Sequence, residues 1–140
     1  ISAAASYIEA TLRTDYIRNL STGVVNAPAG TRLPDVPKFK FAGNARYEFA
    51  VGGNDAFVQA SYQHVGSRWN NLFVASRELQ ASYNIVNFSA GINFERFSVS
   101  AFLNNAFDER AELNRNAATY DERITTNRPR TIGIRLGARF

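Results

Sequence analysis

The sequence predicts an all-β, antiparallel fold in which each strand runs up or down beside the one before it. Three observations carry this. Apolar residues recur at every second position over long stretches. The stretches run about 9 to 13 residues, against a soluble mean of about 5 to 6. The connections between them alternate between short and long. With 140 residues, 45% apolar and 13% aromatic, the chain holds enough burial material for an ordered domain.

The elements follow in order. Ser2–Arg13 is rich in alanine, and Tyr7, Ile8, Thr11 and Leu12 favour a strand only weakly. In the next segment Phe39, Phe41, Ala45, Tyr47, Phe49 and Val51 oppose Lys38, Lys40, Asn44, Arg46 and Glu48. Ala56, Val58, Ala60 and Tyr62 then oppose Gln59, Ser61 and Gln63, with Phe57 the exception. Val86, Phe88, Ala90, Ile92 and Phe94 alternate with Asn87, Ser89, Gly91 and Asn93. Phe97, Val99, Ala101 and Leu103 continue the pattern, with Phe102 interrupting the polar side. Last, Ile132, Ile134, Leu136, Ala138 and Phe140 alternate with Gly133, Arg135, Gly137 and Arg139. A period of two is the mark of a strand, so six strands are expected.

Gly52-Gly53-Asn54-Asp55 reads as a tight turn of residues that tolerate positive φ, and Glu95-Arg96 as a two-residue turn between aromatics. The other connections, roughly Asp15 to Pro37, Gly66 to Leu79 and Ala106 to Pro129, far exceed a hairpin loop of about 2 to 5 residues. Strict alternation puts every long loop at one end of the sheet and every tight turn at the other.

Composition removes other classes. No cysteine is present, which excludes disulfides, thiolate zinc sites and a cysteine nucleophile. No methionine is present either, so the chain is expected to start by cleavage or to belong to something longer. No segment reads as a signal peptide, and no run of about 18 apolar residues offers a helical membrane span. The net charge of +4, from 16 basic and 12 acidic residues, is spread without the basic run that tracks a phosphate backbone, which argues against nucleic acid.

Alternation by itself suits two environments. A soluble barrel or sandwich turns its apolar side inward, and a membrane barrel turns it outward to lipid. The polar side here is Asn, Ser, Gly and Gln with scattered Arg, the mixture of a water-filled or plugged lumen. Long strands, and aromatics near strand ends at Phe39, Phe41, Phe49, Phe94, Phe97 and Phe140, tilt the balance to a membrane barrel with short periplasmic turns and long external loops. A soluble β-domain binding a small apolar ligand, and a homo-oligomeric pore of six-stranded subunits, remain as alternatives.

Four elements are familiar in type. Leu33-Pro34-Asp35-Val36-Pro37-Lys38, entering a strand that ends Tyr47-Glu48-Phe49, resembles a late barrel segment of TonB-dependent outer-membrane receptors. Tyr83-Asn84-Ile85-Val86-Asn87, Phe102-Leu103-Asn104-Asn105-Ala106-Phe107-Asp108, and Arg128-Pro129-Arg130-Thr131 before a strand ending in Phe140 are similar to three further elements of that family, in the same order. The resemblance covers roughly Leu33 to Phe140, and Ala5-Ser6-Tyr7-Ile8-Glu9-Ala10 is loosely similar to the preceding strand. It implies the last six strands of an antiparallel, up-and-down transmembrane β-barrel of about 22 strands. Residues 1–140 would then be the C-terminal part of the barrel domain, with the plug domain and N-terminal barrel strands absent. Six strands fall below the single-chain minimum of about 8, so the rest must come from the same polypeptide or from other chains.

The resemblance further implies energy-coupled uptake of a scarce nutrient of the ferric siderophore, cobalamin or oligosaccharide class, without chemistry on the ligand. The location it implies is the bacterial outer membrane. Partners would be outer-membrane lipid, the remaining strands and plug, the TonB complex through the missing N-terminal part, and the barrel-assembly machinery. Phe140 would be the terminal aromatic of the assembly signal.

No catalytic residue, metal site or cofactor is expected. His64, the single histidine, has no carboxylate neighbour and suits a structural role. Asp108-Glu109-Arg110 and Asp121-Glu122-Arg123 read as solvated ion pairs rather than a calcium loop. Arg68, Trp69, Phe73 and Arg77 form an aromatic and guanidinium cluster in one long loop, suited to an anionic or ring-bearing ligand or to capping the barrel mouth. Lys38, Lys40, Arg46, Arg135 and Arg139 would make the lumen face basic and meet the plug.

Overall fold

The computed structural model describes residues 1–117 and 122–138. It contains β1 (Ser2–Tyr7), β2 (Phe39–Val51), β3 (Asn54–Val65), β4 (Arg68–Trp69), β5 (Leu79–Gln80), β6 (Tyr83–Asn93), β7 (Phe97–Asn104), β8 (Glu112–Ala117), β9 (Glu122–Thr126) and β10 (Thr131–Ala138). Six form one antiparallel sheet in the order β1-β2-β3-β6-β7-β10, each beside the previous long strand. The other four make two small hairpins, β4–β5 and β8–β9, within the long connections. The expected six strands are therefore the sheet, and the four extra ones are structure within the long loops.

The first strand is shorter than expected, ending at Tyr7 rather than Arg13. Tyr7 pairs with Phe39, and beyond it the opposite leg carries Pro37 and Pro34, which have no N–H for a ladder. The chain continues as an irregular ribbon held at isolated points, Thr11 against Arg32 and Tyr16 against Ala27. The first long connection thus spans residues 8–38. At the opposite end, Gly52 and Gly53 take φ of 57° and 79°, the left-handed pair that a two-residue hairpin requires. Phe94 and Phe97 bracket the second tight turn, their rings stacked 4.3 Å apart.

Register assigns the faces. Tyr47, Val58, Ala90, Ala101 and Ile134 lie in one row across the sheet, and most apolar residues of the long strands share that side, with Phe57, Phe102 and, at the loop end, Val65, Tyr83 and Ile85 on the other. On the other side the mid-height rows read Glu48–Phe57–Gly91–Ser100–Arg135 and Arg46–Gln59–Ser89–Phe102–Gly133. The apolar side is bare: Ile132, Ile134 and Leu136 are 72–76% exposed, and Phe88 is 45% exposed. Among the described residues, the compact apolar cluster is Val65, Tyr83 and Ala111 with Ile85, on the polar side at the loop end.

Aromatics belt the apolar side at two heights. Phe39 and Phe41 meet His64 and Tyr62 near the loops, at 5.8 and 5.9 Å, and Tyr47 stacks on Phe49 near the turns. Phe39 to Phe49 is about 34 Å of strand at about 3.4 Å per residue. Tilted by about 40°, this stands about 26 Å high, the height of the apolar band of an outer-membrane barrel, about 25 Å.

Candidate functional site

The three long connections converge at one end of the sheet and lock together. Arg68, opening β4, is 6% exposed. Its Nη2 donates to the Glu112 and Leu113 carbonyls of β8 at 2.9 and 2.8 Å, and its Nε stands 3.8 Å from the Asp35 carboxylate in the first loop. Asp35, at φ 56°, donates its own N–H to the Trp69 carbonyl at 2.8 Å. Arg32 reaches the Ser67 carbonyl at 3.5 Å. Arg115 then ties β8 to the second loop, pairing with Glu78 at 3.3 Å and with Glu112 at 2.8 Å. A buried guanidinium donating to two carbonyls is a strong, charge-assisted contact.

Arg77 leans over the Trp69 indole, 4.3 Å from its centre. With Thr31, Arg32, Val74 and Pro28–Gly30 they line a hollow of about 320 Å³ with no acidic side chain in its wall. Phe73 lies beside it against Tyr16, with the Arg18 guanidinium 5.6 Å from its ring. Of the four loop residues singled out by sequence, Trp69 and Arg77 therefore share a hollow, Phe73 neighbours it, and Arg68 is committed to holding loops together. An indole face beside guanidinium groups suits a flat or anionic group. It offers no nucleophile and base pair.

The third loop starts from Asn105, 3% exposed and at φ 51°. Its N–H donates to the Asn87 side-chain oxygen at 2.8 Å. Its amide nitrogen donates to the Glu109 and Arg128 carbonyls, and its amide oxygen accepts from the Glu109 N–H. Asp108, also left-handed at φ 54°, accepts from the Arg130 N–H at 2.9 Å and from Arg110 at 3.2 Å. The Arg130 amide first, and Arg110 with it, hold the Asp108 carboxyl below its ordinary value. The run Asn104–Asp108 is thus a built corner that closes both ends of the loop. Sequence reasoning noted the run without finding Asn105 as its centre; the adjacent asparagines, the residue type that tolerates left-handed backbone, were the available signal. Gln80, fully buried with an amide that no described residue bonds, left no such signal.

The remaining candidates fall as follows. His64 Nδ1 lies 2.8 Å from the Asn84 side-chain oxygen, which also accepts from Tyr62, a place in the aromatic belt. Asp108 and Arg110 pair within their triplet, and no metal-binding group of acids and histidines occurs among the described residues. Asp121, Arg139 and Phe140 lie outside the described residues. Lys40, Arg46 and Arg135 stand on the polar side of the sheet by register. Lys38 precedes β2, and its ammonium pairs with Glu9 at 2.8 Å across the legs of the first loop. Each partner's hydrogen bond and charge lower the Glu9 carboxyl and raise the Lys38 ammonium.

Arg46 lies over the Phe57 ring at 3.8 Å, bonded to Glu48 at 2.7 Å. Arg135 faces Phe102 at 6.0 Å. These two phenylalanines are the residues that break the polar alternation.

Residues 1–106 match the family model described as TonB dependent receptor-like, beta-barrel, and the chain belongs to that family. No curated protein and no solved structure matches it. The family is one of outer-membrane receptors and transporters whose barrels enclose a plug, and its members are not enzymes.

Proposed function

We propose that the chain is the C-terminal wall of a TonB-dependent receptor barrel of about 22 strands, residing in the bacterial outer membrane. It serves energy-coupled uptake of a scarce nutrient of the ferric siderophore, cobalamin or oligosaccharide class. The observation that carries this reading is the two-sided sheet: a bare apolar side between aromatic belts, and a polar side under docked loops. The apolar side meets lipid and the polar side lines the lumen. Trp69 and Arg77, with Phe73 beside them and Arg68 fixing the loops, receive the nutrient outside. Lys40, Arg46 and Arg135 face the plug. Lys38, tied to Glu9, belongs to the rim of this basic wall. The barrel-assembly machinery reads the C-terminal strand, and the TonB complex engages a part of the receptor outside these residues.

Uptake of labelled ferric siderophore, cobalamin and oligosaccharide by cells with and without the gene tests this. The expected result is loss of one class of uptake in the deletion, with that uptake abolished by a protonophore in the parent. Uptake that a protonophore leaves unchanged in the parent would replace a receptor with a passive pore.

A further inference from the structure

The hollow beside Trp69 is held open by the backbone of two loops. Asp35 donates its N–H to the Trp69 carbonyl at 2.8 Å, Val74 to the Asn26 carbonyl at 3.2 Å, and Thr31 to the Pro28 carbonyl at 3.1 Å. Gly30, at φ 83°, makes the turn that the last of these closes. The Thr31 carbonyl accepts in turn from the Leu12 N–H at 2.9 Å, so the backbone of Thr31 is fully engaged. Its side chain is not. Thr31 is 7% exposed and lines the hollow, and its hydroxyl has no hydrogen-bond partner among the described residues. A buried hydroxyl left unpaired costs free energy, which an acceptor brought by a ligand would recover.

The charges around the hollow all have one sign. Arg77 is steadied by the Trp69 indole at 4.3 Å. Arg32 is anchored through Nη2 to the Val36 and Ser67 carbonyls at 3.3 and 3.5 Å, two neutral acceptors that leave its charge uncancelled. The acids of the first two loops are engaged elsewhere. Glu9 pairs with Lys38, Asp35 faces Arg68, Glu78 pairs with Arg115, and Asp15 accepts from the Ala29 N–H at 2.7 Å. Two guanidiniums without a carboxylate of their own draw in an anion, and the planar fork of arginine fits a carboxylate. The ring already holds Arg77 in place, which limits the ordering cost of binding. Pro28, Ala29, Val74 and the indole make the rest of the wall apolar.

We propose that this hollow is a carboxylate site: it takes an acid whose carboxylate accepts from Arg77 and Thr31 while the apolar body behind it lies against Pro28, Val74 and the indole. At about 320 Å³ it stands at the small end of ligand pockets, about 300–1,000 Å³. It therefore holds one such group and not a whole corrin. A neutral sugar would leave the charge of both guanidiniums uncancelled. The inference rests on the reading that the loop end receives the nutrient from outside, and adds to it the chemistry of the group that is held.

The test is a saturation-transfer NMR titration of the full-length receptor in detergent, with benzoate observed and acetate, benzamide and inorganic phosphate as competitors. Benzoate should bind. The competitors lack the apolar body, the charge and the planar fork in turn, and each should displace it only at about tenfold higher concentration or more. Arg77→Gln should weaken benzoate about tenfold, the scale of one charged hydrogen bond. Thr31→Val, which keeps the shape and removes the hydroxyl, should weaken it about threefold. It also keeps the test decisive where Arg77→Gln disturbs the loop. Absence of benzoate binding, or an affinity indifferent to both substitutions, overturns the carboxylate site. Phosphate that displaces benzoate at equal or lower concentration overturns it in favour of a phosphate site. The protonophore assay is separate: benzoate binding that follows both substitutions, in a receptor whose uptake ignores a protonophore, supports the site and removes the energy-coupled reading.

Discussion

Gly133 and Gly137 stand four residues apart on one strand and one face, yet their surroundings give them opposite tolerance. A methyl on Gly133 meets the Phe102 ring at 2.4 Å, and one on Gly137 meets the Ser98 hydroxyl at 2.6 Å. A hydroxyl rotates away and a ring lying flat on the wall does not. Gly133→Ala is therefore expected to destabilise the barrel by about 1–3 kcal/mol, and Gly137→Ala to stay within about 0.5 kcal/mol of the parent. The heat needed to shift the folded band in detergent electrophoresis reads both. The two phenylalanines show what alternation hides at this scale. Phe57 and Phe102 read as errors in the period, whereas each is a lid on an opposite glycine, a relation set by register between strands. Asp108 gives the pH dependence that belongs here. Its carboxyl is held below its ordinary 3.8 by the Arg130 amide and by Arg110, so the contact is complete above 3.8 and is lost as pH falls through the lower, folded value. With the intrinsic pH dependence of exchange divided out, amide protection at residues 105–110 should stay flat at neutral pH and fall only below 3.8. Asp108→Asn should lower that protection above 3.8 and change little below the folded value, where the parent has already lost the contact.

At the scale of elements, the sheet was legible because its long strands repeat the pattern many times, and β2, β3 and β6 run 13, 12 and 11 residues. The loop hairpins were not: β4 and β5 hold two residues each, in which no period exists, and β8 and β9 read ELNRNA and ERITT, with one apolar side chain larger than alanine in each. The end of β1 was lost for a different reason: alanine packs in either phase, and the ladder stops where the other leg turns to proline. The candidate site was half legible. A loop holding Trp69 and Arg77 between arginines declares a surface for flat or anionic groups, but only tertiary contact tells that Arg68 holds the loops instead. Because its Nη2 bonds the Glu112 and Leu113 carbonyls and its Nε faces Asp35, Arg68→Ala leaves two carbonyls without that donor, a loss of about 1.5–3 kcal/mol for a charged hydrogen bond. All three loops are expected to loosen together. Amide exchange at residues 31–36 and 112–115 should rise in concert with the long strands of the sheet unchanged. Loosening of the third loop alone would show that the loops act independently.

For the whole molecule the question is which side of the sheet meets hydrocarbon, and substitution of one residue type at matched depth answers it. Ile134 and Gln59 both lie at mid-height in adjacent rows, on opposite sides. Ile134 is 72% exposed on the apolar side. An arginine there would have to stand in lipid, at about 2–4 kcal/mol near the midplane. Gln59 bonds Arg46 on the polar side, and an arginine there would stand in an aqueous or polar lumen at the cost of local repulsion. Ile134→Arg is thus expected to cut the amount of assembled, heat-modifiable barrel in outer membranes severalfold. Gln59→Arg should leave the amount near that of the parent and lower only its melting temperature slightly. The contrast depends on orientation and not on strand propensity, since both positions are paired on both sides or toward β7 in regular ladders. If the sheet instead turned its apolar side to a protein core, Ile134→Arg would still be harmful, but Gln59→Arg would face bulk water and stabilise or leave unchanged a detergent-free, soluble product. The phase in which each protein is found after detergent partition therefore separates the two, and the appearance of Gln59→Arg in the aqueous phase would reverse the inside and outside of this sheet.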